Sequence, residues 1–245
     1  MRQVVMHRPG DVRVEDREDP RIFEPTDAII RLSATCICGS DLWPYRGAEP
    51  VDHQVMGHEY VGVVEEIGSE VSTVKVGDFV VGSFWASDNT CEICRAGYQA
   101  YCVDRVLMGT LGTQSELARV PLADGTLVAT PGMPAPDLIP SLMAASDVLG
   151  TGWFAAVAAE VAPGKTVAVV GDGAVGLLGI LAAQQLGAER IIASAVTSTG
   201  RGWLESSGLP TSSRSAARTA SPGSRSSPAV WVPTRSSRRS APSSR

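Results

Sequence analysis

Short apolar runs alternate with charged and turn-forming residues along the first third of the chain, which is the pattern of β-strands. Such runs lie at residues 4–6, 12–15 and 28–32, and glycine or proline residues separate them. Two longer runs follow at residues 60–68 and 74–82, the second entered through a Gly-Asp turn. The pattern predicts a β-rich N-terminal domain over residues 1–150.

From residue 151 onwards the pattern becomes that of an α/β domain. Four apolar residues recur at helical spacing and are expected to pack as core: Phe154, Val157, Ala158 and Val161. A turn and a buried strand then occupy residues 163–170, an apolar helix occupies residues 177–186, and a second strand begins at Arg190. The predicted fold class is therefore α/β plus β, with the first βαβ part of a second domain over residues 151–195.

The turn between that strand and that helix has the sequence Gly171-Asp172-Gly173-Ala174-Val175-Gly176. A G-x-G-x-x-G turn in this context is a dinucleotide-binding fingerprint. Gly171 makes the tight turn, Gly173 lets a pyrophosphate approach the backbone, and Gly176 lets the helix pack closely on the strand. The helix N-terminus, with Ala174 and Val175, offers free N–H groups to the phosphates. The alternative is a βα turn with a purely structural role.

The composition changes again after residue 195. Residues 196–245 contain fifteen Ser and eight Arg but no Lys or Asp, and they have no strand or helix periodicity. With one Glu this segment carries a net charge of +7, so the rest carries −12 for the chain's total of −5. We predict a disordered tail. A nucleic-acid-binding arm is the weaker hypothesis, because the chain as a whole is acidic.

The cysteine count and the N-terminus indicate the compartment. Five Cys residues are an odd number, and no apolar signal segment opens the chain. A secreted disulfide framework favours an even number of cysteines and a signal peptide. No run is long and apolar enough to predict a membrane span. We therefore expect a cytoplasmic protein, in which clustered cysteines bind metal more often than they form disulfides.

Four residues from three separate parts of the sequence are candidates for one catalytic zinc site. Cys38, His58 and Asp147 offer a thiolate, an imidazole and a carboxylate, and three such ligands with one open position are how catalytic zinc is held. The open position is where a substrate oxygen binds and is polarised. Glu59 is expected at the metal's edge, as a supporting carboxylate or an occasional ligand. In isolation, Asp147 would be interpreted as a helix cap and Cys38 as a buried thiol.

The combination of Cys38-Gly39-Ser40-Asp41, Gly57-His58-Glu59 and the glycine-rich turn resembles the zinc-dependent alcohol dehydrogenases of the medium-chain dehydrogenase/reductase family. The resemblance extends from the N-terminus to about Ile192. It implies a GroES-like, β-rich catalytic domain followed by a Rossmann dinucleotide-binding domain, which is incomplete in this chain.

The resemblance also assigns roles to single residues. In the family the ligand Cys directly precedes the Gly-Ser-Asp sequence, which selects Cys38 and leaves Cys36 as a thiol in the wall. The family's third ligand, often Cys, arises in the stretch that contains Asp147. Ser40 would relay the substrate's proton, although Trp43 stands where many relatives have the His that ends the relay. The alternative role of Ser40 is a helix N-cap.

The resemblance implies a second zinc site. Cys91, Cys94 and Cys102 follow the spacing C-x2-C-x7-C of the last three ligands in the family's structural-zinc lobe. Asp88 replaces the fourth cysteine; its carboxylate can ligate zinc, but we expect it to hold the ion more weakly than a thiolate. The alternative is a metal-free loop.

These features predict an oxidoreductase that uses zinc (Zn2+) and transfers a hydride between a small alcohol or aldehyde and NAD or NADP. The chain reads Ala193-Ser194-Ala195 after the second strand, where NAD-binding proteins carry an acid. Trp43, Trp85 and Phe154 would line an apolar pocket or serve as core. Intact relatives are expected to form homo-oligomers. Zinc-free relatives of the quinone-reductase type are disfavoured, because the candidate ligands would then have no role.

The alternative function is an inactive, truncated zinc-binding fragment with a non-native tail. A stretch rich in Ser, Arg and Pro is what GC-rich coding DNA yields out of frame. A back-translation of residues 202–213, read in another frame, gives Leu-Ala-Arg-Glu-Phe-Gly-Ala-Thr-Asp-Ile-Val. The same frame shift over residues 227–240 gives a second segment of this kind. Both results are similar to the family's next elements, so we hypothesise a one-frame slip near residues 193–196. Rereading the coding DNA across codons 190–202 tests this hypothesis.

Overall fold

The computed structural model describes residues 1–194 and the backbone of residues 231–233. It divides into two compact units, Met1–Asp147 and Val148–Arg245. The boundary lies three residues before the one that the sequence predicts at residue 150.

The first unit is built mainly from short strands. They are β1 Arg2–Arg8, β2 Asp11–Asp16, β3 Ala28–Thr35, β4 Gln54–Val55, β5 Tyr60–Ile67, β6 Phe79–Gly82, β7 Trp85–Ala86, β8 Val106–Leu107, β9 Leu117–Val120 and β10 Leu127–Ala129. Four short helices accompany them: α1 Leu42–Tyr45, α2 Glu92–Arg95, α3 Ala123–Thr126 and α4 Ile139–Ala145. Turns of 3₁₀-helix lie at Gly39–Asp41, Gln99–Tyr101, Met108–Thr110 and Pro136–Leu138.

These strands form three antiparallel sheets. The largest has the order β10-β6-β5-β3-β9, a second has the order β2-β1-β4, and β7 pairs with β8. Strand β3 pairs with β5 from Ala28↔Ile67 to Thr35↔Tyr60, and this pairing contains two bulges. The main core packs Ile30, Tyr60 and Val80 together, and each of the three is fully buried. The prediction of a β-rich N-terminal domain is confirmed.

The second unit contains the βαβ arrangement that the sequence predicts. Its elements are α5 Val148–Ala158, β11 Thr166–Val170, α6 Ala174–Gln185, β12 Arg190–Ser194 and β13 Trp231–Pro233. Strands β11 and β12 are parallel, with Thr166 opposite Arg190, so α6 is the crossover between them. A parallel pair with a helical crossover is the start of a Rossmann-type sheet.

Helix α5 packs differently from the prediction. Phe154 and Val157 are 61% and 52% exposed and Ala158 is exposed too, so the expectation that these residues form core is wrong. Val161, after the helix, is buried as expected. The helix instead buries Gly152 and Ala156. A Cβ at Gly152 would lie 2.7 Å from the backbone N of Gly179 on α6, so the two helices approach closely through small residues. Such contact leaves no room for large side chains on that face.

Part of the predicted disordered tail is described as a strand. Strand β13 pairs antiparallel with β11, with Trp231 opposite Val169. The rest of residues 195–245 lies outside the described residues. Within the described part, no single helix is long and apolar enough to cross a membrane; only the consecutive helices Pro136–Ala145 and Val148–Ala158, taken together across a bend, have that length and composition.

Candidate zinc centres and dinucleotide-binding turn

The first unit brings four predicted residues together. Cys38, His58, Glu59 and Asp147 each offer one ligand atom, and these atoms all lie within 4.8 Å of one another. The Sγ of Cys38 is 4.0 Å from Oδ2 of Asp147, and Nε2 of His58 is 3.5 Å from the same oxygen. The fold thus collects a thiolate, an imidazole and two carboxylates from three separate segments of the chain.

Cys38 is positioned by a tight turn at the end of β3. The 3₁₀ turn Gly39–Asp41 begins directly after it, and the backbone N–H of Cys38 donates to Oδ2 of Asp41 at 2.9 Å. Cys36, two residues earlier, packs instead against a buried apolar cluster that includes Val61 and Met143. Burial, aided by the charge of Glu59, raises the pKa of Cys36 to about 11, so this thiol stays protonated.

His58 and Glu59 are positioned by the glycine that precedes them. Gly57 has φ +96°, in the left-handed region that glycine favours. A Cβ at Gly57 would lie 2.5 Å from the backbone N of Gln114, so no other residue fits there. The N–H of Thr113 donates to the carbonyl of Gly57 at 3.0 Å and holds the two backbone segments close together. The Gly-His-Glu sequence therefore has a steric reason as well as a chemical one.

Asp41 also belongs to this site, although the sequence predicted no separate role for it within the motif of residues 38–41. Its Oδ1 lies 3.7 Å from Nδ1 of His58, and the side chains of Asp41 and His58 are only 10% and 12% exposed. A carboxylate on the second nitrogen of a histidine orients the ring for a metal on the first nitrogen. Phe84, also unpredicted, lies edge-on to His58 with ring centroids 6.4 Å apart. In the sequence, the only indication of this role of Asp41 was its position three residues after Cys38.

The electrostatics of this group suit a cation. Burial alone would lower the pKa of His58, but hydrogen bonds with Asp147 and Cys38 and the charge of Asp41 raise it to about 10. Burial and the nearby Asp147 charge raise the pKa of Glu59. The Oε1 atom of Glu59 is buried without a hydrogen-bond partner. A buried group that stabilises a positive imidazole and holds an unpartnered carboxylate oxygen fits a divalent zinc ion.

The other predicted residues lie outside this ligand group. Ser40 is exposed in the 3₁₀ turn, and the cap positions there belong to Cys38 and Asp41, so its alternative role as a helix N-cap is wrong. Trp43 on α1 is 41% exposed. The Arg105 guanidinium lies over the Trp85 ring, 5.3 Å from its centroid. Phe154 belongs to the second unit.

A second ligand group lies in the cysteine-rich stretch. Ligand atoms of Asp88, Cys91, Cys94 and Cys102 lie within 4.8 Å of one another. The carboxylate of Asp88 accepts the backbone N–H groups of Cys91 and Thr90 at 3.0 and 2.8 Å, which hold its pKa well below the usual range. Burial raises the pKa of Cys94 to about 12, whereas backbone N–H groups lower that of Cys91. Four converging ligands without an open position suit a structural zinc ion.

The glycine-rich turn has the geometry that its sequence predicts. Gly171 has φ +115°, and α6 begins directly after Gly173. A Cβ at Gly176 would lie 2.3 Å from the carbonyl O of Gly171, so helix and strand approach too closely for a side chain there. A Cβ at Gly173 would enter open space, where a diphosphate would lie against the first N–H groups of α6. The turn therefore fits a dinucleotide.

Comparison with known proteins agrees with this arrangement. Residues 24–132 match the family described as the alcohol dehydrogenase GroES-like domain. Zinc-type alcohol dehydrogenase B of Aspergillus flavus is 39% identical over 204 residues, which are 79% of this chain and 47% of that protein. This chain therefore contains an alcohol dehydrogenase GroES-like domain and is similar to a zinc-type alcohol dehydrogenase over about four fifths of its length.

Two further proteins show the same similarity. Glutathione-independent formaldehyde dehydrogenase of Pseudomonas aeruginosa is 36% identical over 220 residues, 81% of this chain and 55% of that protein. The structure of alcohol dehydrogenase TADH from Thermus sp. ATN1 matches with a TM-score of 0.79 and 34% identity, covering 86% of this chain and 62% of that chain. The chain spans about half the length of the curated relatives.

Proposed function

We propose that this chain is a zinc-dependent oxidoreductase that transfers a hydride between a small alcohol or aldehyde and NAD or NADP. The observation that carries this proposal is the convergence of ligand atoms of Cys38, His58, Glu59 and Asp147 within 4.8 Å. One carboxylate oxygen of this group, Oε1 of Glu59, is buried without a hydrogen-bond partner. The names of the similar proteins, an alcohol dehydrogenase and a formaldehyde dehydrogenase, favour small alcohols and aldehydes as the substrate class.

In this proposal Cys38, His58 and Asp147 hold the catalytic zinc, and Glu59 lies at its edge as a second carboxylate. The zinc, when bound, supplies a Lewis acid that polarises the oxygen of the alcohol or aldehyde. Asp41 keeps the His58 ring oriented, because its carboxylate faces Nδ1 and leaves Nε2 directed at the ligand group. With one thiolate and hard oxygen ligands, the metal would be more electrophilic than in a site with two thiolates.

Ser40 carries the substrate's proton in this proposal. It lies two residues after Cys38, and its side chain is exposed in the 3₁₀ turn. An exposed hydroxyl can exchange a proton with water directly. Since Trp43 has no group that accepts a proton, the relay would end at solvent after Ser40.

The dinucleotide would bind at the turn before α6. Gly171, Gly173 and Gly176 give the backbone room for the diphosphate, and the N–H groups of Ala174 and Val175 would donate to it. NAD or NADP supplies the hydride acceptor or donor. Strand β12 ends in Ser194, a small neutral residue that does not repel a 2′-phosphate, so both dinucleotides belong in the test.

A second zinc ion would be held by Asp88, Cys91, Cys94 and Cys102 and would have a structural role. We further propose a cytoplasmic location, because all five cysteines are free. Light scattering of the purified chain would test whether it forms a homo-oligomer.

The decisive experiment measures zinc content and NAD(P)-dependent turnover of the untagged chain over a panel of alcohols and aldehydes. Cys38→Ser should lose one zinc per chain and all turnover. Cys36→Ser is the matched control, because Cys36 is a neighbouring thiol outside the ligand group, and it should keep both. Zinc bound without turnover with either dinucleotide would identify the chain as a zinc-binding fragment. Equal loss in both variants would contradict the ligand assignment.

A further inference from the structure

Two of the chain's three histidines lie side by side on the first unit, outside both cysteine-containing groups. His7 lies on β1 and His53 directly precedes β4, and these strands pair with Val5 opposite Val55. The two ring centroids are 4.3 Å apart, with the ring planes tilted by 56°. The pair has no part in the proposed hydride transfer.

Each imidazole of this pair has one nitrogen bound to a carboxylate. Nε2 of His7 is hydrogen-bonded to Glu15 on β2, and Nδ1 of His53 is hydrogen-bonded to Asp52 at 2.6 Å. The opposite nitrogens, Nδ1 of His7 and Nε2 of His53, are therefore the ones that can bind a further group. A carboxylate on one nitrogen fixes the tautomer and increases the basicity of the other, which is the usual support of a metal-binding histidine.

We propose that His7 and His53 form a binding site for a late first-row transition metal, with Glu15 and Asp52 as the orienting carboxylates. Imidazole ligands suit Ni²⁺, Cu²⁺ and Zn²⁺, and two of them bound to one ion hold their nitrogens roughly 3 Å apart. Ring centroids 4.3 Å apart allow both rings to bind one ion, and the His53 side chain is 65% exposed, which leaves room for the ion. Water would complete the coordination.

The arginines near this position are all paired with carboxylates. Asp11 lies near His7, and a positive charge on His7 contributes to lowering the pKa of Asp11. The nearby cations Arg8 and Arg13 are both paired with Asp11, at 3.4 and 2.8 Å. Glu15, which also pairs with Arg17 at 3.9 Å, and Asp52 place two further carboxylates beside the imidazoles. A bound ion would also connect β1 with the segment before β4 and stiffen the β2-β1-β4 sheet.

The test titrates Ni²⁺ into the untagged, full-length, zinc-loaded chain by calorimetry. We expect one saturable Ni²⁺ per chain, with paramagnetic broadening of the ring signals of His7 and His53. His53→Gln should abolish this binding, and because His53 is largely exposed the variant should stay folded. Asp52→Asn should weaken it by about 10- to 100-fold, as the loss of an orienting carboxylate does. Glu66→Gln, an exposed carboxylate on β5, is the matched control and should bind like the parent.

Some outcomes would overturn the proposal. They are the absence of saturable binding in the parent, equal binding in His53→Gln, or broadening confined to His58. His7→Gln provides an independent check, and the zinc content of each variant must equal the parent's, which shows that the cysteine-containing groups are unaffected.

Discussion

The carboxylate of Asp41 contacts two predicted zinc ligands at once. Its Oδ1 lies 3.7 Å from Nδ1 of His58, and its Oδ2 accepts the backbone N–H of Cys38 at 2.9 Å. One buried side chain thus fixes the ring of one ligand and the backbone turn of another. The two ligands come from segments on either side of β4, and Asp41 contacts both of them.

We therefore expect Asp41→Asn to weaken zinc binding at the catalytic site by about 10- to 100-fold. The amide can still accept from Cys38, but it no longer provides a negative charge opposite His58. Competition with a chromophoric chelator measures the affinity. Asp104→Asn, an exposed residue of the same unit, is the control. An unchanged affinity in the Asp41 variant would mean that this carboxylate only shapes the turn.

A second prediction concerns Asp88 in the cysteine-rich group. Asp88→Cys should hold zinc more tightly, because a thiolate replaces the hard oxygen in a site of three cysteines. Asp88→Ala should release zinc faster than the parent. The rate of zinc transfer to a chelator measures both effects.

Without zinc, the Asp88→Cys variant should be less stable than the parent. The substitution removes the acceptor for the N–H groups of Thr90 and Cys91, so the loop should be less stable without metal. Comparing thermal unfolding with and without zinc checks this. If neither Asp88 variant changes zinc release, Asp88 is not a ligand.

A third prediction separates two glycines of the dinucleotide-binding turn. Gly173→Ala should leave the second unit folded, because the added Cβ enters open space, but it should lower the affinity for NADH and NADPH by filling the space of the diphosphate. Gly176→Ala should destabilise the unit itself, since its Cβ would lie 2.3 Å from a backbone oxygen. Cofactor fluorescence and circular dichroism measure the two effects. Equal behaviour of both variants would contradict the assignment of separate roles.

The sequence predicted those parts of the structure that depend on local pattern. Alternation predicted the strands, and a strand–glycine turn–helix order predicted the βαβ unit with Gly176 at its closest approach. The ligand group was also predictable, because thiol, imidazole and carboxylate chemistry restricts which residues can serve. Asp147 depended on a family resemblance, since nothing in its own surroundings distinguishes a metal ligand from a helix cap.

Features that depend on tertiary contact were missed or predicted wrongly. Helical spacing placed Phe154 and Val157 in the core, but spacing cannot tell which face a helix packs, and the small residues Gly152 and Ala156 made the close contact. The adjacency of His7 and His53 depends on the pairing of β1 with β4, which no local pattern contains. The ion pair of Asp27 with Arg119 likewise joins residues from two paired strand regions.

That ion pair leads to a prediction about acid stability. The Asp27 carboxylate is fully buried and accepts from Arg119 Nε and a second guanidinium nitrogen at 2.6 and 3.2 Å, and from the N–H groups of Phe23 and Glu24. Burial alone would raise the pKa of Asp27, but these hydrogen bonds outweigh it and lower the pKa. The unfolded chain therefore binds this proton more readily than the folded chain does. The pair's contribution is complete above about pH 4 and is lost as the pH falls through the folded pKa.

Removing the cation should reverse this dependence. In Arg119→Ala the buried carboxylate loses its partner, which should destabilise the first unit by about 3 kcal/mol at pH 7. Its folded pKa should then lie above the unfolded value, so the deficit relative to the parent should shrink as the pH falls towards 4. Urea unfolding at pH 7, 5.5 and 4 measures the difference in free energy of unfolding between parent and variant. Both proteins lose zinc in acid, so this loss does not contribute to the difference. Arg31→Ala, which breaks the exposed pair with Glu65, should change stability little at any pH. A deficit in Arg119→Ala that is constant with pH would show that the lost contact of Arg119 with the Phe23 ring, rather than the lost charge, explains the effect.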